Sequence, residues 1–115
     1  FLELTAEKFD LAKVLNMDDE YYEEVVWPIM YNYIRGIRYF RRNAAIAIGN
    51  SRDEKYVPDL ITAAQDSDPL IREYAVWALG KIGGIEAINY LNELNKTEND
   101  SAVRAEIKLA LEKNR

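Results

Sequence analysis

"RRNAAIAIGN" occupies residues 41–50, and 31 residues further on "REYAVWALGK" occupies residues 72–81. Set one over the other, Arg41 meets Arg72, Ala44 meets Ala75, Ala47 meets Ala78 and Gly49 meets Gly80. The same offset carries Val57, Leu60 and Ala63 onto Ile88, Leu91 and Leu94, the apolar stripe of a following helix. A further step of 32 takes Arg72, Ala78 and Leu79 to Arg104, Ala110 and Leu111. The chain therefore holds two full units and the first helix of a third. A period of this length predicts an all-α superhelix of stacked helix pairs, because one pair cannot bury its own apolar face.

Within each unit the first helix places apolar residues at helical spacing: Phe40, Ala44, Ala47, Ile48, then Ile71, Ala75, Ala78, Leu79. Matched alanines let successive first helices approach closely. Gly49 and Gly80 are expected to end their helices in the left-handed conformation. Asp68 followed by Pro69 predicts the next helix start, and Asp100 or Ser101 does the same for the third unit. The expected units are residues 37–67, 68–99 and a partial 100–115, preceded by a non-repeating lead-in over 1–36 that packs on the first unit. In the lead-in, Thr5 is expected to cap a helix through "AEKFDLAKVL" with Phe9, Ala12 and Leu15 inward. Asp18 caps a second helix that Pro28 ends, and "WPIMYNYI" covers the first unit's apolar face or offers a stacking platform. The whole is one domain of 115 residues.

Composition removes several functions. With no cysteine the chain has no disulfide, thiolate metal site, iron–sulfur ligand or cysteine nucleophile, and with no histidine it lacks the commonest general base. Ser51, Ser67 and Ser101 consequently have no imidazole to activate them. The acids at 18–24 lack the alternation and turn glycine of a calcium loop, and "DSD" at 66–68 reads as a loop and a cap. "GKIGG" lacks the Lys-Ser/Thr of a phosphate loop. The Asn-x-Ser/Thr triplets at Asn95 and Asn99 carry no meaning without export. No catalytic, cofactor-binding or metal-binding residue is assigned. No apolar run reaches membrane length, so no membrane partner and a cytoplasmic location are expected. An opening "FLELTAEKFD" without methionine reads as a piece of a longer protein.

The net charge of −5 conceals an asymmetry. Residues 1–24 hold eight acids against Lys8 and Lys13, whereas residues 25–52 hold five arginines and no acid. Arg35, Arg38 and Arg42, at spacings of three and four, fall on one stripe of a continuous helix beside Tyr33 and Tyr39. Such a stripe suits phosphates and unstacked bases, so Arg35, Arg38, Arg42 and Tyr39 are the candidate nucleic-acid contacts. The same arginines can instead pair with the acidic lead-in. Arg41, Arg72 and Arg104 recur once per unit and are expected to hold neighbouring loops or carbonyls as stacking elements.

"DPLIREYAVWALGKIGG", residues 68–84, resembles the HEAT-like repeats of the phycobilin-lyase type, which read "D-P-x-V-R-x-x-A-x-x-A-L-G". In the first unit Ile37-Arg38 stands where that pattern has Asp-Pro. A longer match covers about residues 1–84. Arg42-Asn43 ahead of "AAIAIGN", then "DPLIREYAVWALG" with Trp77 inside it, resembles the C-terminal tail of epoxyqueuosine reductases. "VVWPIMYNYIRGIRYF" departs from it, being more aromatic and less basic. The resemblance implies an oxidoreductase parent, dependent on iron–sulfur clusters and cobalamin, that acts in queuosine modification of tRNA. Those cofactors are implied for the parent and not for this chain. It implies that this piece is non-catalytic and that its partners are tRNA and the upstream catalytic domain. From a different class, the array is a protein-interaction scaffold whose partner is another protein.

Overall fold

The computed structural model describes residues 10–18 and 37–114. Its helices are α1 (Leu11–Leu15), α2 (Ile37–Ser51), α3 (Val57–Ala63), α4 (Pro69–Ile82), α5 (Ile85–Leu94) and α6 (Ser101–Lys113), with a 3₁₀ turn at Glu54–Tyr56 before α3. No strand occurs among the described residues. Helix α2 packs on α4 and α4 on α6, so the first helices of the units form one row. Helices α3 and α5 form a second layer against α4 and each other, and α1 covers the side of α2 while touching α3. The expected all-α repeat array is the observed one.

Caps set the helix starts. Asp68 accepts from the Leu70 amide at 2.9 Å, with Pro69 in the first turn. Asp100, rather than Ser101, caps α6 by accepting from the Ala102 and Val103 amides at 3.0 and 3.1 Å. Each carboxylate satisfies amides that have no partner inside the helix.

Two expectations are corrected. A helix running unbroken through "AEKFDLAKVL" is excluded, because Asp10 is extended (φ −77°, ψ 102°) and caps α1 by accepting from the Lys13 amide. An aspartate can satisfy a first-turn amide with its own side chain, so it starts a new helix where periodicity alone continues an old one. Leu11, Val14, Leu15 and Met17 are the buried residues there, and Ala12 is half-buried. Thr5, Phe9, the helix after Asp18 and "WPIMYNYI" lie outside the described residues. Gly49 and Gly80 do not end helices either. Both are buried within α2 and α4, and the left-handed glycines are Gly83 (φ 73°) and Gly84 (φ 93°).

What Gly49 provides is proximity. A Cβ there would lie 2.6 Å from Cζ3 of Trp77 and 3.1 Å from the Ala78 Cα. Ala44, Ala45, Ala75 and Ala78 are fully buried in the same seam, with Phe40, Ile48, Ile71 and Leu79. Small residues let the two helix backbones close in, and the larger side chains fill the space toward α3 and α5.

Helix α2 stops at Arg52, the one non-glycine residue with positive φ (55°) among those described. That conformation costs an L-residue about 1–2 kcal/mol, offset in part by the greater unfolded-state entropy of glycine. Arg52→Gly is accordingly expected to raise stability by roughly 0.5–1 kcal/mol, read as a higher urea midpoint. An unchanged or lower midpoint would show that the arginine side chain contributes more to the fold than its backbone strain removes.

Candidate nucleic-acid interface

The first turns of α2 bring Arg38, Tyr39 and Arg42 together on one face. Spacings of three and four in a helix put these side chains side by side, and the ring of Tyr39 is flanked by both cations. The Arg38 and Arg42 Cζ atoms lie 5.4 and 5.3 Å from its centroid. Arg42 also stands 6.0 Å from the ring of Tyr74 on α4, so the cluster spans two units. Tyr39 is 43% exposed, the aromatic one of three large hydrophobic residues exposed on the described surface. The aromatic faces are negative and the guanidinium groups positive, which favours these contacts; Arg38 and Tyr39 are exposed, while Arg42 and Tyr74 are half-buried.

The two arginines differ in what they have left to offer. Arg38 forms a two-pronged pair with Asp68, Nε to Oδ2 at 2.9 Å and Nη2 to Oδ1 at 3.0 Å. Asp68 thus joins the first unit to the cap of the second. Its carboxyl is held below the usual carboxylate range by the Arg38 guanidinium first and by the Leu70 amide as well, against the opposing effect of burial. Arg42 has no acid partner among the described residues; its Nε and Nη2 donate to the Asn43 carboxamide oxygen at 3.3 and 3.0 Å. A guanidinium carries five N–H donors, so each arginine retains several for a ligand. Among the described residues the acid paired with Arg38 is Asp68 of the second unit; the lead-in acids other than Asp10 and Asp18 lie outside the described residues. Arg35 and Tyr33 lie outside the described residues.

The arginine common to the units is used at the unit junctions, with Arg41 and Arg72 half-buried and Arg104 exposed. Arg41 donates from Nε to the Leu15 carbonyl at 2.7 Å and from Nη2 to Asp66. Arg72 donates from Nε and Nη2 to Glu98 at 2.9 and 3.0 Å, and from Nη1 to the carbonyls of Asp66 and Ser67. Arg104 donates from Nη1 to the Glu98 carbonyl at 2.9 Å. Each arginine therefore reaches a loop at a unit junction. Asp66 and Glu98 are themselves 32 residues apart, one more than the 31 that separate Arg41 from Arg72, so the acids repeat nearly in step with the arginines. In the sequence these acids look like ordinary loop residues, yet a search one position beyond the offset of Arg41 and Arg72 finds them. Tyr74 carries no such signal, because its place in the cluster depends on how α4 lies against α2.

Among the described residues no group of three or more His, Cys, Asp or Glu side chains is placed to hold a metal ion. Iron–sulfur clusters are held chiefly by cysteine thiolates, and this sequence has none, so its residues do not fit such a cluster. No helix among the described residues is long and apolar enough to cross a membrane.

A family model for HEAT repeats matches residues 38–112. Over 103 residues the chain is 33% identical to the uncharacterized protein in the gldA 3' region of Geobacillus stearothermophilus, covering 89% of this chain and 47% of that one. It is 34% identical over 99 residues to the epoxyqueuosine reductase of Listeria monocytogenes, covering 85% of this chain and 26% of the reductase. The crystal structure of an epoxyqueuosine reductase with a tRNA-Tyr epoxyqueuosine-modified tRNA stem loop superposes with a TM-score of 0.80 at 28% identity. That superposition covers 90% of this chain and 28% of the other. The chain thus spans about half the length of the first relative and about a quarter of the reductases.

Proposed function

The chain belongs to the HEAT-repeat family, and from that premise we propose that it is a non-catalytic module of a protein resembling epoxyqueuosine reductase, helping to hold tRNA for queuosine modification. The observation that carries this reading is the Arg38–Tyr39–Arg42–Tyr74 cluster, in which Arg42 has no described acid partner and Tyr39 is exposed. Guanidiniums beside an open aromatic ring suit a backbone phosphate next to an unstacked base. A relative of the same fold with a tRNA stem loop supports the choice of ligand. On this reading Arg35 adds to the same stripe. The redox chemistry of such a parent, with its iron–sulfur and cobalamin groups, belongs to residues outside this chain. A tRNA ligand also fits a cytoplasmic location.

The test is salt dependence. Removing one phosphate-binding cation should flatten the slope of log affinity against log salt by about 0.7–0.9. For a tRNA anticodon stem loop, Arg38→Ala with Arg42→Ala is expected to flatten it by roughly 1.5 units, while Tyr39→Ala costs about 1–3 kcal/mol of binding through the absence of stacking. Arg38 is half exposed, so its pair with Asp68 contributes little to stability, and the double variant should stay folded. Wild-type binding too weak to measure, or a slope the double variant leaves alone, would reject the RNA reading and favour a protein-interaction scaffold.

A further inference from the structure

A second basic site lies at the opposite end of the same row of helices. Arg52 at the end of α2, Lys81 in the last turn of α4 and Lys113 in the last turn of α6 line a cavity of about 380 Å³ together with Gly80 and Asn114. Three cations from three successive units meet there, and no acid is among the lining residues. Resting on the RNA reading above, we propose that this cavity is a phosphate pocket that takes a second backbone phosphate of the same nucleic acid.

The bland account of these residues is that cations gather at helix C-termini to offset the negative end of the dipole. The hydrogen bonds argue against it. The terminal carbonyls already have donors: Gly49 takes the Arg52 amide, Leu79 the Gly83 amide and Leu111 the Asn114 amide. The Ser51 hydroxyl donates to the Ile48 carbonyl. Asn114 donates from Nδ2 to the carbonyls of both Gly80 and Ala110, at 2.9 and 2.8 Å. These donors cover carbonyls at the ends of the three helices, and the side-chain N–H groups of Arg52, Lys81 and Lys113 form no hydrogen bond or ion pair among the described residues. None of the acids on the packed elements lines the cavity. Asp53 pairs with Lys55, Glu54 lies beside Gly84, Glu112 lines a groove with Asn95 and Arg104, and Glu106 senses Lys113 only as a charge. The cations are left for an external anion.

The pocket is also in line with the Arg–Tyr cluster. Tyr74, Trp77 and Lys81 lie on one face of α4 at spacings of three and four, with Tyr74 beside Arg42 and Lys81 Nζ 5.2 Å from the Trp77 ring. From Arg42 to Arg52 along α2 is about 15 Å, a span that a continuous nucleic-acid backbone crosses easily. Cation, ring, ring, cation, and then the pocket follow one another along this surface.

Pyrophosphate titrated into the isotopically labelled chain separates the pocket from the cluster. Saturable shifts should concentrate at the amides of Arg52, Lys81, Gly83 and Lys113, with affinity falling at least tenfold in Lys81→Gln with Lys113→Gln. The glutamines keep the aliphatic stems and helix propensity, and an unchanged thermal midpoint confirms folding. Arg52→Gly, which removes charge while favouring its backbone, should weaken pyrophosphate without destabilising the chain. With the stem loop as ligand, the same lysine variants should flatten the salt slope further than Arg38→Ala and Arg42→Ala do. Shifts spread evenly over all surface lysines, or equal affinity in the lysine variants, would overturn the pocket. Pyrophosphate bound in the pocket with stem-loop affinity unaltered assigns a free phosphate ligand and overturns the shared-backbone proposal. Loss of RNA binding only on changing Arg38 and Arg42 leaves the function and rejects the pocket.

Discussion

Gly80→Ala is expected to destabilise the chain by about 3 kcal/mol, although alanine is the better helix former by about 1 kcal/mol. Gly80 lies inside α4, and a Cβ built there sits 2.5 Å from the Ala110 Cβ and 3.0 Å from its Cα. The second of these contacts decides the outcome. A side-chain end can swing aside, but the Cα of Ala110 moves only with α6, and α6 is held by Val103 and Ile107 in the core. Pushing it outward opens space along the whole α4–α6 seam. Ala110→Gly added to Gly80→Ala should recover part of the loss, a coupling that a double-mutant cycle measures directly. A melting temperature raised by Gly80→Ala would mean that the helices are not in contact there. The change at Gly49 meets the same kind of obstacle, the Ala78 Cα at 3.1 Å, besides the Trp77 ring at 2.6 Å, so a loss of similar size is expected there.

The same glycine shows what could be read in advance. The 31-residue offset located Gly49 and Gly80 at equivalent points, and offset alone reports equivalence without reporting purpose. A glycine followed by two or three residues and a loop looks like a helix terminator. Only the position of the neighbouring helix reveals that it is a contact point. Gly83 and Gly84, two residues of the same run, are the ones with positive φ. The unit starts were legible because capping is local: Asp68-Pro69 and Asp100 contain their own reason. The break at Asp10 was equally local but was hidden under a convincing apolar period.

For the candidate interface, the stripe of Arg38 and Arg42 followed from helical spacing within α2, and Tyr39 with it. Tyr74 and Asp68 did not, since both arrive from the next unit. Contacts across a junction depend on how far one helix pair is rotated and shifted on the next, which no single helical period encodes. The pocket of Arg52, Lys81 and Lys113 is an extreme case, with residues 29 and 32 positions apart meeting at one end of the row.

Glu98→Ala should be the most damaging of the single charge removals, at about 3–5 kcal/mol. The Glu98 side chain is only 4% exposed and that of Arg72 19% exposed. Glu98 accepts from both Nε and Nη2 of Arg72 and also from the amides of Asn99 and Asp100, so its loss leaves a guanidinium and two loop amides short of partners. It also releases the loop that presents Asp100, the cap of α6. The Arg72 guanidinium, first, and those amides hold its carboxyl below the usual range despite burial. A carboxyl whose folded pKa is depressed contributes stability that is complete above its unfolded pKa, near 4.3, and that is lost as pH falls through the folded value. Asp68, lowered by Arg38, acts in the same direction, while Glu106, raised by burial, acts in the other. The wild-type chain should therefore lose stability steadily below about pH 4.5, and the Glu98→Ala variant should show a shallower acid limb from a lower plateau. Arg38→Ala provides the comparison, because its half-exposed pair should cost no more than about 1 kcal/mol. Equal losses in the two variants, with parallel acid limbs, would show that the buried pair at the second junction holds the array no better than the exposed one at the first.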